Sequence, residues 1–545
     1  FGEAKLYEIV RDYGSNTLPY GLNRTFKRVL GVELATLYDD WLESVRKEAF
    51  ATKAAIEKEG LTSCVRLTDD GESKGQPLFT RDGESVLLSI ADGETRAAIF
   101  ALPAGAPGPR KALALSGGNA HLSLTRRGDL FYTRTAPFKK VYRFDDVFAL
   151  EAKASSPRRV TYGARSREAA VSPSGREIAM VVVENGKTRL VLADERGIPA
   201  RTLIELSRGD QVFSPAWSPS GREIAVVVRR GGSQRLEIVD PLDAEIVAVF
   251  DEAGLEIDPV FDPTGRYLVF ASDKTGIYDI YALEIESGAL RRLTNVVGGA
   301  NSPAVSWDGS KLAYLDISSK GSDLFVTDFA PKSAEAIARV AAPAPDEKQK
   351  PIPTRVSIGP YNPLPSLVPR SWTLGAHFGA DSSTVLEAVT SMNDAVGHHA
   401  VGAAVSYGLD ARTMSVSGGY SYYGMVPSLH LGVSHRTVPR EDGYLVGGIA
   451  RGWDQRITNA SVGLGVSVPG NDSGHSLSLS YGIMHAAPKQ DVDIEIDPNG
   501  PLPQIPLQYF RAGIDFGWSY SDTVGSPFGI SAEKGRVIWA SVGVD

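Results

Sequence analysis

Eight histidines, at positions 121, 377, 398, 399, 430, 435, 475 and 485, are the side chains of this sequence best suited to metal binding or to proton transfer near neutral pH. A zinc hydrolase needs two imidazoles one helical turn apart with a glutamate base between them, His-Glu-x-x-His, and no pair stands at that spacing. The adjacent His398 and His399 read as a strand-end pair. A nucleophilic serine would need a Gly-x-Ser-x-Gly elbow, which is absent, and Asp472-Ser473-Gly474 matches only part of a serine-protease motif and falls at a strand turn. Asp491, Asp493, Glu495, Asp497 and Asn499 have a calcium-loop spacing. They lack the glutamate at position 12, and Pro498 and Pro501 intrude, so the segment reads as a solvated acidic loop. Asp273, Asp279, Asp308 and Asp323 read as turn and strand-end residues rather than ligands. With Cys64 the only cysteine, an intramolecular disulfide is impossible and a cysteine zinc site is implausible. No catalytic residue, cofactor-binding residue or metal ligand is assigned, and no cofactor is expected.

The elements around these residues carry more information. Between positions 61 and 330 a small, Pro-rich run ending in glycine is followed by a short β-branched run, at Gly83, Gly128, Gly175, Gly221, Gly265 and Gly309. The intervals are 45, 47, 46, 44 and 44 residues. A period of about 40–50 residues with several short strands per unit is the signature of a β-propeller blade, so six copies predict six blades. Pro presets φ and Gly takes a positive φ in such turns, so the repeated element marks geometry rather than catalysis. Cys64-Val65-Arg66-Leu67-Thr68 matches Arg292-Leu293-Thr294, the end of a blade, yet precedes the first full copy. It is expected to complete the last blade and close the propeller.

Ser214-Pro215-Ala216-Trp217-Ser218-Pro219-Ser220-Gly221 and Ser302-Pro303-Ala304-Val305-Ser306-Trp307-Asp308-Gly309 resemble the repeats of TolB-like (WD40-like, PD40) propellers. The resemblance covers roughly half the chain and implies fold. Propellers of this kind serve as periplasmic docking modules or as gating domains of serine peptidases, so it does not choose a function.

Residues 1–60 read as a helical segment. Leu6, Ile9 and Val10 suit one helix face; Val32, Leu34, Leu37, Trp41 and Val45 suit another, beyond the Gly14-Ser15-Asn16 break. Phe1 to Leu6, Gly31 to Tyr38 and Trp41 resemble the helices that follow the active site in gluzincin-type zinc metallopeptidases. That resemblance implies catalytic residues upstream of Phe1, and whether the protein is an enzyme stays open on the sequence alone.

Residues 331–370 turn Ala-, Pro- and Lys-rich, as an extended linker would. From Ser371 to Ala486 the texture changes: 13 of 116 residues are charged, about 11% against 22% for the chain, and none is lysine. Met414, Val416, Gly418, Tyr420 and Tyr422 alternate with small polar residues, as do Leu477, Leu479, Tyr481 and Ile483. The same period runs through Leu429, Leu431 and Val433, through Val462 to Val468, and through Ala512, Ile514, Phe516, Trp518 and Tyr520. A soluble sandwich alternates too, but turns charge toward water. Runs of about ten residues with Gly and Ser as the polar side instead suit transmembrane β-strands. Tyr420, Tyr422, Tyr481, Trp518 and Tyr520 would form an interfacial belt.

Tyr361-Asn362-Pro363-Leu364-Pro365-Ser366-Leu367-Val368-Pro369-Arg370-Ser371-Trp372, Gly397-His398-His399 and Ser526 to Arg536 resemble the barrel of Omp85-like surface-antigen proteins. Such barrels have about sixteen strands; about ten are read here, which places the remainder beyond Asp545. Gly529 and Lys534 depart from the usual Ser-Ile-Ser-Pro-Glu-Asp-Gly form, and no POTRA-like repeats precede the barrel, which counts against insertase activity.

The expected fold is therefore mainly β: helical segment 1–60, six-bladed propeller 61–330, linker 331–370, and an incomplete outer-membrane barrel 371–545. The expected location is the bacterial outer membrane, with the propeller in the periplasm. The expected partners are the lipid bilayer and a periplasmic protein or peptide at the propeller mouth. A net charge of -8 without basic blocks argues against nucleic acid. The functional expectation is an envelope scaffold or assembly role. The alternatives are an outer-membrane-tethered zinc metallopeptidase with its active site upstream, or an Omp85-like export or insertion pore.

Overall fold

The computed structural model describes residues 2–14, 21–139, 142–340, 359–369, 371–378, 384–410, 412–446, 449–470, 472–489, 508–524 and 534–544. They form two compact units, the first comprising 1–92, 96–134 and 145–347 and the second 93–95, 135–144 and 348–545. The acidic run 491–499 and the Ser526 to Glu533 part of the surface-antigen-like motif lie outside the described residues.

Three helices open the first unit, α1 (Glu3–Gly14), α2 (Leu22–Leu30) and α3 (Leu34–Glu59). The sequence reading gave two, because the apolar positions of α2 are interrupted by Arg, Lys and Thr. Its end is nonetheless sharp: Gly31 takes φ 77° and donates its N–H to Lys27 O at 3.0 Å. Leu6, Val10, Trp41 and Val45, expected as packing faces, are exposed. The end of α3 is tied to the propeller through Asn295, whose amide donates to Ile56 O at 3.1 Å and to Gly60 O at 2.8 Å.

Six antiparallel sheets of four or five strands follow. Blade 4 illustrates the plan with strands Gln211–Trp217, Ile224–Arg230, Ser233–Val239 and Ile246–Phe250. Its second strand is buried on both faces. Ile224, Val226 and Val228 pack into one inter-blade core, and Ala225 and Val227 into the next. That is why the run Ile-Ala-Val-Val-Val has no polar alternation. The turn before it closes through Gly221, φ 75°, whose N–H reaches Ser218 O at 2.9 Å. The equivalent Gly83, Gly128, Gly175, Gly265 and Gly309 also take positive φ.

The last blade is completed by the chain start. Val65–Arg66 pairs antiparallel with Gly321–Asp328, Val65 opposite Val326 and Arg66 opposite Phe325. The chemistry of the seam repeats that of other blades. An aspartate on the third strand binds an arginine and a threonine two residues apart on the fourth: Asp146 with Arg159 (2.5 Å) and Thr161 (2.7 Å), Asp279 with Arg292 (2.6 Å) and Thr294 (2.8 Å). At the clasp Asp323 holds Arg66 at 2.7 Å and Thr68 at 2.8 Å. Beyond Asp328 the chain adds one more strand, Glu335–Ile337, beside Leu290–Arg292 of blade 5, within the segment expected to be linker.

The second unit contains a nine-stranded antiparallel sheet, each strand beside its sequence neighbour, from Thr373–Phe378 at one edge to Val537–Val544 at the other. The sequence reading counted about ten strands. No helix among the described residues is long and apolar enough to cross a membrane.

Candidate functional site

The inner strands of the six blades surround a cavity of about 150 Å³ along the propeller axis. Its waist comes from one residue per blade, five positions before each turn glycine: Leu78, Ser123, Ala170, Ala216, Val260 and Ala304. At the turn end Pro173, Pro219, Pro263 and Trp307 line it. Two guanidiniums reach this end. Arg126 donates Nη2–H to Pro219 O at 2.6 Å, spanning from blade 2 to blade 4, and Arg81 stacks 3.9 Å over the Trp307 ring.

Two residues before the waist, each blade contributes a polar side chain: Gln76, His121, Glu168, Ser214, Asp258 and Ser302. Gln76 and His121 line the cavity. The other four are hydrogen-bonded from blade to blade. Glu168 accepts from the Ser214 backbone N–H; Ser214 Oγ donates to Asp258 Oδ1 at 3.2 Å; Ser302 Oγ donates to Asp258 Oδ2 at 2.9 Å. A bulge makes this geometry possible. Ser214, Asp258 and Ser302 all have φ near 50°, and the ladder register shifts at each of them. His121 Nδ1 lies 2.9 Å from Ala169 O, which can only accept, so Nδ1 is the donor of that bond. The result is a polar collar at one end of an apolar waist, with arginines at the other.

The sequence reading did not find this collar. The signal was available as a register, seven residues before each glycine, but six unlike residue types hid it. Of the acidic residues it weighed, Asp279 and Asp323 sit in strands and anchor the arginine–threonine pairs. Asp308 sits in a turn, where Ser306 and Ser310 hydroxyl bonds hold its carboxyl down at about 2. Asp273 accepts from Leu255 N at 2.7 Å. These four are not brought together.

Nine residues before Gly83 and before Gly265 stand two ionisable groups in contrasting states, Lys74 and Glu256. Lys74 is buried but satisfied, with Asp70, Asp323 (3.5 Å), Glu72 O (3.2 Å) and Ser322 O (2.8 Å) around its ammonium. Glu256 is equally buried with neither carboxylate oxygen hydrogen-bonded, and desolvation raises its carboxyl to about 8.

In the second unit the register sorts side chains onto two unlike faces. One row reads Tyr420, Leu431, Val462, Tyr481, Ile514, Val544 and the next Tyr422, Leu429, Leu464, Leu479, Phe516, Val542. Between them, on the opposite face, runs Ser421, His430, Gly463, Ser480, Asp515, Gly543. The apolar face is exposed: Leu479 at 48%, Phe516 at 48% and Val542 at 65%. Toward one end of the strands His399 packs on Tyr422 (4.9 Å) and bonds the Tyr420 hydroxyl (2.8 Å), and His475 lies against Trp518 and Tyr520. These are two separate groups toward the same strand end, and the fifth expected belt residue, Tyr481, stands in the same cross-strand row as Tyr420. His398 and His399 follow a turn closed by Gly397 N–H to Asp394 O, and Asp472-Ser473-Gly474 lies at the turn between Ile449–Pro469 and Gly474–Pro488.

Residues 164–338 match the family model of the TolB β-propeller domain (PD40), and the propeller is TolB-like. Solved structures with similarity include a protein assigned as TolB from Agrobacterium tumefaciens, 16% identical over 51% of this chain and 91% of that one, TM-score 0.36. An oligogalacturonate lyase from Vibrio parahaemolyticus is 12% identical over 50% of this chain and 94% of that one, TM-score 0.35. TolB from Acinetobacter baumannii is 14% identical over 64% of each chain, TM-score 0.25. No curated protein matches the chain.

Proposed function

We propose that this chain is an envelope protein whose sheet is a section of a transmembrane β-barrel in the outer membrane of a diderm bacterium. Its TolB-like propeller binds a protein or peptide at the channel mouth in the periplasm, in a scaffold or assembly role. The observation that carries this reading is the exposed apolar face of the sheet. Two unbroken cross-strand rows of six large apolar side chains each, most of them exposed, are more than a water-facing surface carries, and hydrocarbon is the solvent that matches them. The two aromatic and histidine groups toward one end of the strands suit a headgroup boundary. Fractionation tests it: after an alkaline carbonate wash the chain is expected to float with outer-membrane vesicles. Recovery in the soluble fraction would overturn the anchoring.

A second reading draws on the other face, where Glu387, Arg436, Arg511 and Asp515 stand among Ser and Gly. A water-filled lumen would hold such residues, which favours the export or insertion pore over a plain anchor. Single-channel conductance of the reconstituted protein separates the two.

A further inference from the structure

We infer that the cleft between blades 2 and 3, at the turn end of the propeller, is a binding site for a small phosphate monoester held through Arg127, Arg176 and Arg196. It is separate from the axial cavity and does not depend on what the channel mouth binds.

The cleft has a volume of about 620 Å³ and draws guanidiniums from four separate segments. Arg127 lies in the turn between Leu122–Leu124 and Leu130–Phe138 of blade 2, and Arg158 opens that blade's outer strand, Arg158–Arg159. Arg176 follows the turn glycine of blade 3, and Arg196 lies in the hairpin between Lys187–Asp194 and Pro199–Glu205. Between them the lining includes the buried Phe131 and Ala149, which give it an apolar floor.

Elsewhere in the propeller arginines are neutralised by carboxylates, as Arg66 is by Asp323, Arg159 by Asp146 and Arg292 by Asp279. In the cleft only Arg158 has such a partner, Glu151 at 3.8 Å. Arg127, Arg176 and Arg196 make no ion pair among the described residues, although Asp129 and Glu195 share the lining. Asp129 is turned to its own blade, where it accepts from the Thr125 hydroxyl at 3.2 Å and from Ala152 N–H at 3.1 Å. Three permanently charged guanidiniums thus present free donors around one concavity, where their fields add.

The shape of the donor set selects the anion. A carboxylate satisfies one guanidinium fork with its two oxygens. A phosphate monoester brings nearly two negative charges and three acceptor oxygens, which match three forks arriving from different turns. The volume is far larger than one phosphate needs and falls in the range of about 300–1,000 Å³ typical of small-molecule sites, so the ligand carries a body beyond its phosphate. The Phe131 and Ala149 floor suits an apolar body. The same recognition serves a lipid headgroup and a soluble ester.

The test titrates the full chain in mild detergent, by calorimetry, with glycerol 3-phosphate, with dihexanoyl phosphatidate and with dihexanoyl phosphatidylcholine as the phosphodiester control. Both monoesters are expected to bind and to compete for one site, and phosphatidylcholine to bind at least about tenfold more weakly. Tighter binding of phosphatidate than of glycerol 3-phosphate supports the site and assigns it a lipid; binding no tighter supports the site and assigns it a soluble ester. Arg176→Gln/Arg196→Gln should weaken both monoesters at least about tenfold. Arg222→Gln, at the same turn position in blade 4 and outside the cleft, should leave both unchanged, which separates a site from general surface charge. Should the double variant misfold by circular dichroism, Arg127→Gln is read in its place, with a loss in the same direction. Binding of neither monoester, or an equal loss in Arg222→Gln and the cleft variant, overturns the inference.

Discussion

The propeller and the sheet are both antiparallel β-structure, yet they treat apolar surface in opposite ways. In blade 4 the strand Ile224–Arg230 buries Ile224, Ala225, Val226, Val227 and Val228 completely, because neighbouring blades cover both of its faces. In the sheet, Leu479 and Phe516 stand half-exposed among equally apolar neighbours, and only the Ser and Gly face is polar. Protein covers the first kind of surface. The second is the kind that lipid covers. Charge follows the same division. The propeller buries ions in specific clusters such as Asp323 with Arg66 and Lys74, whereas the apolar rows of the sheet hold none.

The largest expected effect comes from breaking the propeller's burial. Asp323→Ala leaves the fully buried Lys74 and the clasp Arg66 without their shared carboxylate, and should cost about 3–5 kcal/mol in denaturant unfolding of the propeller. The sheet should be insensitive to it. Leu479→Arg probes the other side. A cation in the apolar row should cost about 2–4 kcal/mol and reduce recovery in the membrane fraction, while Ser480→Arg, one residue away on the polar face, should be tolerated. A soluble sandwich would give the same order in stability, because it buries the apolar face, but no dependence of membrane recovery on either residue.

Glu256 sharpens the comparison from within the propeller. Its unfolded carboxyl titrates near 4.5 and the folded one near 8, so across that window the unfolded state loses its proton first. Stability therefore falls as pH rises from about 5 to about 8. Glu256→Gln should remove that slope and stabilise the protein at about pH 8 by at least about 1 kcal/mol, with little gain at about pH 5, as read by thermal melts. Trp217→Phe should have the smallest effect. It keeps the inter-blade packing but removes the bond from Nε1 to Ala170 O at 2.9 Å, for about 1 kcal/mol.

Much of this was legible in the residues, and for stated reasons. The Pro-Ser-Gly turn demands a positive φ at a fixed interval, so the six turn glycines number the blades. The clasp was legible because Arg66 and Thr68 repeat the spacing of Arg292 and Thr294, a pair that needs an aspartate partner. The two faces of the sheet followed from a period of two. The collar was not legible. Gln76, His121, Glu168, Ser214, Asp258 and Ser302 share an axial level and no chemistry, and the bulges at three of them displace the simple alternation. Exposure of Leu6, Val10 and Trp41 was equally hidden, since helical periodicity marks an apolar face without saying what covers it.

The central claim is that one face of the sheet meets hydrocarbon. In a Cys64→Ser background, Leu479→Cys and Ser480→Cys place a thiol on either face of the same strand, in the protein held in native membranes. The account predicts that a water-soluble, membrane-impermeant maleimide labels Ser480→Cys well faster than Leu479→Cys in opened vesicles, while a lipid-soluble maleimide reverses the order. Equal labelling of both by the water-soluble reagent would contradict it.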